Sequence, residues 1–119
     1  MQEQDLKLLE VAWRSVTQRA EAAAQGRPVQ VLAVSKTKPA ASIRALAALG
    51  QRAFGENYPQ ELREKHPLLP RDIEWHFIGP LQSNKSRPVA ERFDWVHSVD
   101  RARIAERLSQ QRPPDRAPL

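Results

Sequence analysis

Cysteine is absent from the 119 residues, methionine occurs once and glycine only four times. Without cysteine there is no disulfide framework and no thiolate metal site. No apolar run approaches the roughly 18–20 residues that a membrane-crossing helix needs. The scarce glycines form neither a GxGxxG nor a GxxxxGK[ST] fingerprint, so nucleotide-dependent chemistry has no support. No His/Asp/Glu cluster has metal-ligand spacing, and no metal is expected. The first ten residues, MQEQDLKLLE, lack the basic and apolar regions of a secretory signal, so a cytoplasmic location is expected.

What is present is a chain with 40% apolar residues and a formal net charge of +5. The length suits one fold unit and leaves no room for two independent cores. Fourteen arginines and five lysines supply the positive charge, spread along the chain rather than gathered in one block. Such a spread favours an anionic partner in general and argues against nucleic acid, which calls for a clustered basic patch.

Apolar positions follow a repeating rhythm. Residues 6–24 place Leu9, Ala12, Val16, Ala20 and Ala23 at helical spacing, with Trp13 beside them and Gly26 as a left-handed stop. VQVLAVS (29–35) is a short, β-branched run that reads as a buried strand. Pro39, the apolar face of Ile43, Leu46 and Ala47, and the terminal Gly50 predict a helix. The alternation continues with strands at 52–57, 73–79 and 94–99 and helices at 59–66 and 84–92, the latter weakened by Pro88. A last helix carries Ile104, Ala105 and Leu108 on one face with Asp100 as its cap. Strand starts at 29, 52, 73 and 94 are 23, 21 and 21 residues apart.

That interval is what a strand needs if a helix must carry the chain back before the next parallel strand begins. The expected fold is α/β: about four βα units with parallel strands after an N-terminal helix. A closed eight-unit barrel needs about twice this length, so the chain reads as the N-terminal half of a (β/α)8 TIM-type barrel. Residues 1–119 then form a single partial domain, with 113–119 as a flexible tail.

Ligands of such barrels bind where strands end. Lys36 follows the first strand directly, where partial desolvation would free its amine to attack an aldehyde and form a Schiff base. From position alone, a solvated lysine snorkelling from the sheet is the simpler account. Lys38 reads as a surface charge. Asn57 at the second strand's end can orient a ligand or cap the helix that starts at Tyr58-Pro59. His76 lies inside the third strand, where a hydrogen-bonded core histidine and a ligand contact are both open. Gly79-Pro80 permits close backbone approach to a ligand, and a tight turn accounts for it equally. His66 and His97 have no assigned role.

Taken together, LAVSKTKP (32–39), FGENYPQEL (54–62) and WHFIGPLQSNKSR (75–87) resemble the pyridoxal phosphate homeostasis protein family, the YggS/PROSC-type proteins. All three motifs stand in the family's order and spacing. The resemblance implies an alanine-racemase-like (β/α) barrel that holds pyridoxal 5′-phosphate covalently, as an aldimine on the lysine of SKTKP, which is Lys36 here. It also implies Asn57 beside the cofactor ring and a barrel mouth built by HFIGPLQSNK, which contains His76 and Gly79. It implies no catalytic turnover, hence a cofactor-homeostasis or carrier protein that passes pyridoxal phosphate to apoenzymes. A racemase-like enzyme on the same fold is the alternative and would need an acid/base across the cofactor from Lys36. A basic nucleic-acid or interaction module rests on net charge alone.

Family members run to about twice this length, and their phosphate-holding amides and the arginine facing the pyridine nitrogen belong to the second half. The chain is therefore read as a truncated form that keeps the aldehyde trap and binds the cofactor weakly. A half barrel also exposes an inner face and strand edges, so self-association is expected.

Overall fold

The computed structural model describes residues 2–119. A long helix α1 (Glu3–Ala24) precedes four βα units: β1 (Ala33–Val34), α2 (Ala40–Leu49), β2 (Ala53–Glu56), α3 (Pro59–Lys65), β3 (Glu74–Phe77), α4 (Ser86–Arg92), β4 (Trp95–Val96) and α5 (Ala102–Gln111). The strands form one sheet in the order β1-β2-β3-β4, every pair parallel. The half-barrel pattern expected from the strand spacing is the architecture found.

Register divides the sheet into two faces, because paired residues point the same way and neighbours along a strand point oppositely. Ala33, Phe54 and Trp75 form one row and Glu56, Phe77 and Val96 another. Both rows face the helices. There Phe54, Trp75, Phe77 and Phe93 pack with Ile43, Leu62, Val89, Ile104 and Leu108 into a single core. The intervening row, Val34, Gly55, His76 and Trp95, lies on the opposite face, where Val34 and Trp95 remain more than half exposed.

Several local expectations shift. β1 is far shorter than residues 29–35, although Ser35 N–H still donates to Gly55 O at 2.9 Å. On α1, Ala12, Val16 and Ala23 are exposed, and the packed stripe is Leu9, Trp13, Thr17, Ala20 and Ala24. Trp13 sets that rotation: its indole N–H donates to Gln51 Oε1 at 2.9 Å, and the Gln51 amide donates to Val31 O and Ala53 O. One side chain thus ties α1 to the sheet. The left-handed stop falls on Gln25 as well as Gly26. Pro88 does not break α4, because it sits in the first turn, where no intrahelical N–H is required. The cap of α5 is Arg101 rather than Asp100, whose carboxylate instead accepts from Arg101 Nε at 3.2 Å.

Residues 113–119, read as a flexible tail, contain no regular element and are tied back at several points. Arg112 donates to Ala90 O, Phe93 O and Ala117 O, while Arg116 pairs with Asp94 at 2.9 Å. Asp94 in turn accepts the Trp75 N–H at 2.8 Å.

Leu62 is fully buried on α3 against the sheet. Leu62→Ala should therefore cost about 2–5 kcal/mol of unfolding free energy, read from urea denaturation followed by far-UV circular dichroism.

Candidate functional site

Because the strands are parallel, their C-terminal ends gather on one edge and deliver Ser35-Lys36, Asn57, Gly79 and Ser98 to the same end of the sheet. Lys36 is exposed, so the desolvation anticipated for it does not occur within this chain. What distinguishes it is the turn that carries it. Lys38 N–H donates to Ser35 O at 3.1 Å, closing a four-residue turn in which Thr37 has a φ of 67°. A β-branched residue in the left-handed region is rare and costs on the order of 1–3 kcal/mol, so the surroundings must hold it there.

They do so through α3 and the end of β2. Glu61 accepts the Thr37 N–H with both carboxylate oxygens, at 2.5 and 3.0 Å. Lys65, one helical turn on, donates to Glu61 at 2.8 Å, to Ser35 O at 3.1 Å and to Glu56 at 3.4 Å. The Ser35 hydroxyl donates to the same Glu56 oxygen, Oε2. Glu56 occupies the last position of β2 on the helix-facing side and is wholly buried, and its Oε1 has no partner among the described residues.

The two carboxyls respond in opposite directions. Burial pushes Glu56 above the ordinary carboxylate range, against the Ser35 hydrogen bond and the Lys65 charge. Burial also pushes Glu61 upward, but the Lys65 hydrogen bond, the Thr37 amide and the Lys65 charge outweigh it and hold the group below that range. From sequence, Ser35 and Glu56 stand among the strand-end positions without an assigned role, and Glu61 and Lys65 are not singled out for the site. The available signals were the i,i+4 pair of Glu61 and Lys65 and a carboxylate inside an apolar strand.

Asn57 and Gly79 are brought into direct contact. A Cβ on Gly79 would lie 2.8 Å from Asn57 O and 3.2 Å from its Cα, so only glycine allows the end of β3 to pass so close to the end of β2. Asn57 does not cap α3, since Tyr58 holds the N-cap position. Its Oδ1 is buried and has no partner among the described residues. Beside it a groove of about 680 Å³ opens between α3 and α4, lined by Asn57, Tyr58, Arg63, Leu81, Lys85 and Arg92. Lys36 lies outside that groove.

His76 is neither isolated nor on the core side. It sits on the open face, with Nε2 2.7 Å from Glu74 Oε1 and Nδ1 2.8 Å from His97 Nε2. A carboxylate only accepts, so the Glu74 contact takes a proton from His76 Nε2. Trp95 stacks on the ring at 5.7 Å with an interplanar angle of 4°. Among the described residues no group of three or more acidic, histidine or cysteine side chains could hold a metal ion, and no helix is long and apolar enough to cross a membrane.

An aldehyde-bearing ring phosphate fits part of this arrangement. The exposed amine on a fixed turn suits the aldehyde, and the orphaned Asn57 oxygen and the glycine contact beside it leave a polar atom and unobstructed backbone at the neighbouring strand ends. Gly79→Ala should force the two strand ends apart and cost roughly 1–3 kcal/mol in urea denaturation. The carboxyls predict opposite pH limbs. The stability linked to Glu61 is fully present above its ordinary 4.5 and is lost as pH falls through its lowered value. The Glu56 contribution is present below 4.5 and is lost as pH rises through its raised value. Glu61→Gln should thus flatten the acid limb below 4.5, and Glu56→Gln the limb above it, in denaturation curves recorded across pH.

No protein-family model matches the chain. The pyridoxal phosphate homeostasis protein of Pseudomonas aeruginosa is 58% identical over 105 residues, covering 85% of this chain and 46% of that protein. The protein of the same name from Escherichia coli K12 is 58% identical over 95 residues, 76% of this chain and 41% of its own length. Among solved structures, PipY of Synechococcus elongatus with pyridoxal phosphate bound superposes with a TM-score of 0.67 at 48% identity, over 79% of this chain and 46% of that one. An unknown protein from Bifidobacterium adolescentis superposes with a TM-score of 0.83 at 31% identity, over 93% and 52%. The chain spans about half the length of the relatives it matches. Over that half, in sequence and in fold, it is a homologue of the pyridoxal phosphate homeostasis proteins, as its three motifs foretold.

Proposed function

We propose that this chain contributes the aldehyde-capturing half of a pyridoxal phosphate-holding barrel, with Lys36 as the attachment point, and that the whole protein serves cofactor homeostasis rather than turnover. The observation that carries the reading is the Ser35–Lys38 turn, a left-handed Thr37 fixed by Glu61 directly after an exposed lysine. Similarity to relatives named for pyridoxal phosphate homeostasis, and to a structure with that cofactor bound, supports the choice of ligand.

When bound, the cofactor supplies an aldehyde that condenses with a primary amine with loss of water, a linkage that borohydride fixes by adding hydride at the aldehyde carbon. Lys36 brings the amine on its flexible stem and must shed a proton before its nitrogen lone pair is free. Asn57 offers a side-chain oxygen that a ring donor can meet, and Gly79 keeps the adjoining backbone clear. With the phosphate anchor of TIM-type barrels formed near the last strands, this half holds the cofactor weakly. Delivery to apoenzymes, and pairing of the uncovered edges of β1 and β4 with a second copy, belong to the same proposal.

The test is incubation with pyridoxal phosphate, borohydride reduction and peptide mass mapping over Lys7, Lys36, Lys38, Lys65 and Lys85. Lys36 should carry several-fold more label than any other lysine. Lys65 should carry the least, because its amine is engaged by three partners and its side chain is 11% exposed. Lys36→Ala should remove the dominant label without moving it to Lys38. Even labelling across the five lysines would refute Lys36 as the attachment point.

A further inference from the structure

The FGENYPQEL motif holds more than the asparagine already discussed. Its second glutamate, Glu61, points away from the open face and toward the backbone of the turn that carries Lys36. From the geometry we infer that Glu61, braced by Lys65, is a positioning residue for Lys36: it touches no cofactor and acts by holding Thr37 in the left-handed conformation that sets the direction of the preceding side chain. The inference rests on the role proposed for Lys36 and adds the device that orients it.

Three observations converge. Thr37 is one of only two non-glycine residues with positive φ among the described residues, and the other, Gln25, merely ends α1. A carboxylate that takes one backbone N–H on both oxygens, at 2.5 and 3.0 Å, is a charge-assisted clamp across 24 residues of sequence. The clamp is itself fixed, because Lys65 bridges Glu61 at 2.8 Å to the carbonyl of Ser35 at 3.1 Å, gripping the turn at both its first and third residues. Glu56 closes the circuit from β2 through the Ser35 hydroxyl. If Glu61 is lost, the turn keeps its Lys38-to-Ser35 hydrogen bond, but no other hydrogen bond among the described residues holds Thr37 in its conformation.

Two variants separate positioning from general stability. Glu61→Ala removes the acceptor, whereas Glu61→Gln keeps a side-chain oxygen for the Thr37 N–H and removes only the charge. The first readout needs no cofactor: in amide proton spectra of the 119-residue chain, Thr37 should resonate strongly downfield with slow solvent exchange. Glu61→Ala should abolish both features and Glu61→Gln should retain the slow exchange. The second readout is the ratio of borohydride-trapped label on Lys36 to that on Lys38, expected to fall at least about fivefold in Glu61→Ala and less than twofold in Glu61→Gln.

A loss of Thr37 protection in Glu61→Ala with an unchanged labelling ratio would overturn the inference while leaving Lys36 as the attachment point. Equal falls in the ratio for both variants, tracking their loss of thermal stability, would reduce Glu61 to a structural ion pair and overturn it as well. If the unsubstituted chain shows no preference for Lys36, the proposed function itself fails, and the inference falls with it for that separate reason.

Discussion

The central pairing of β2 with β3 is the constraint on which the rest of the molecule depends. Four consecutive pairs, from Ala53–Glu74 to Glu56–Phe77, fix which residues face the helices and which face away. A slip of β3 by one residue would send Trp75 and Phe77 out of the core and turn Glu74 and His76 toward the helices in their place. On the opposite face Gly55 leaves room for a neighbouring side chain, since a Cβ there would lie 3.0 Å from Ile78. Once this register is set, β1 and β4 need only two paired residues each to bring four strand ends to one edge.

The same register creates the electrostatic problem that the candidate site resolves. Glu56 falls in a helix-facing row, at the end of β2, where every other paired residue is apolar. A buried carboxylate is tolerated only when charge and hydrogen bonds compensate for lost hydration. Lys65 supplies the charge and Ser35 a hydroxyl, and the geometry that admits them also brings Glu61 to the backbone of Thr37. The turn holding Lys36 is therefore built from the outer, core side of the sheet, although Lys36 itself is exposed at the strand ends. On the proposed reading, positioning and chemistry are carried by opposite sides of the same loop.

The uncovered face has a different character. Trp95 and Val34 are more than half exposed there, yet Glu74, His76 and His97 form a hydrogen-bonded line between them. Mixed polar and apolar lining is what a barrel interior carries when it must both pack and hydrate a ligand. The half-barrel exposes that lining, and the chain matches less than half the length of its curated relatives.

Much of the fold was legible in the chain itself. The intervals between apolar runs dictated parallel strands joined by helices, and Gly50 marked the end of α2, where its φ of 119° admits few other residues. Lys36, Asn57 and Gly79 were found because strand ends are readable from local pattern, and His76 because it falls within the third motif. Local pattern also misled. The apolar stripe of α1 was read through Ala12, Val16 and Ala23, whereas the indole of Trp13 bonding to Gln51, 38 residues away, turned the helix onto another face. The pairing of His76 with His97 and the clamp of Glu61 on Thr37 join residues 21 and 24 positions apart. No periodicity reports such contacts. Sequence by itself determined the order and type of the elements, because these follow from nearest-neighbour propensity and burial period. Tertiary structure alone decided which polar groups meet, because that depends on register and helix rotation, which are settled only when the whole sheet packs.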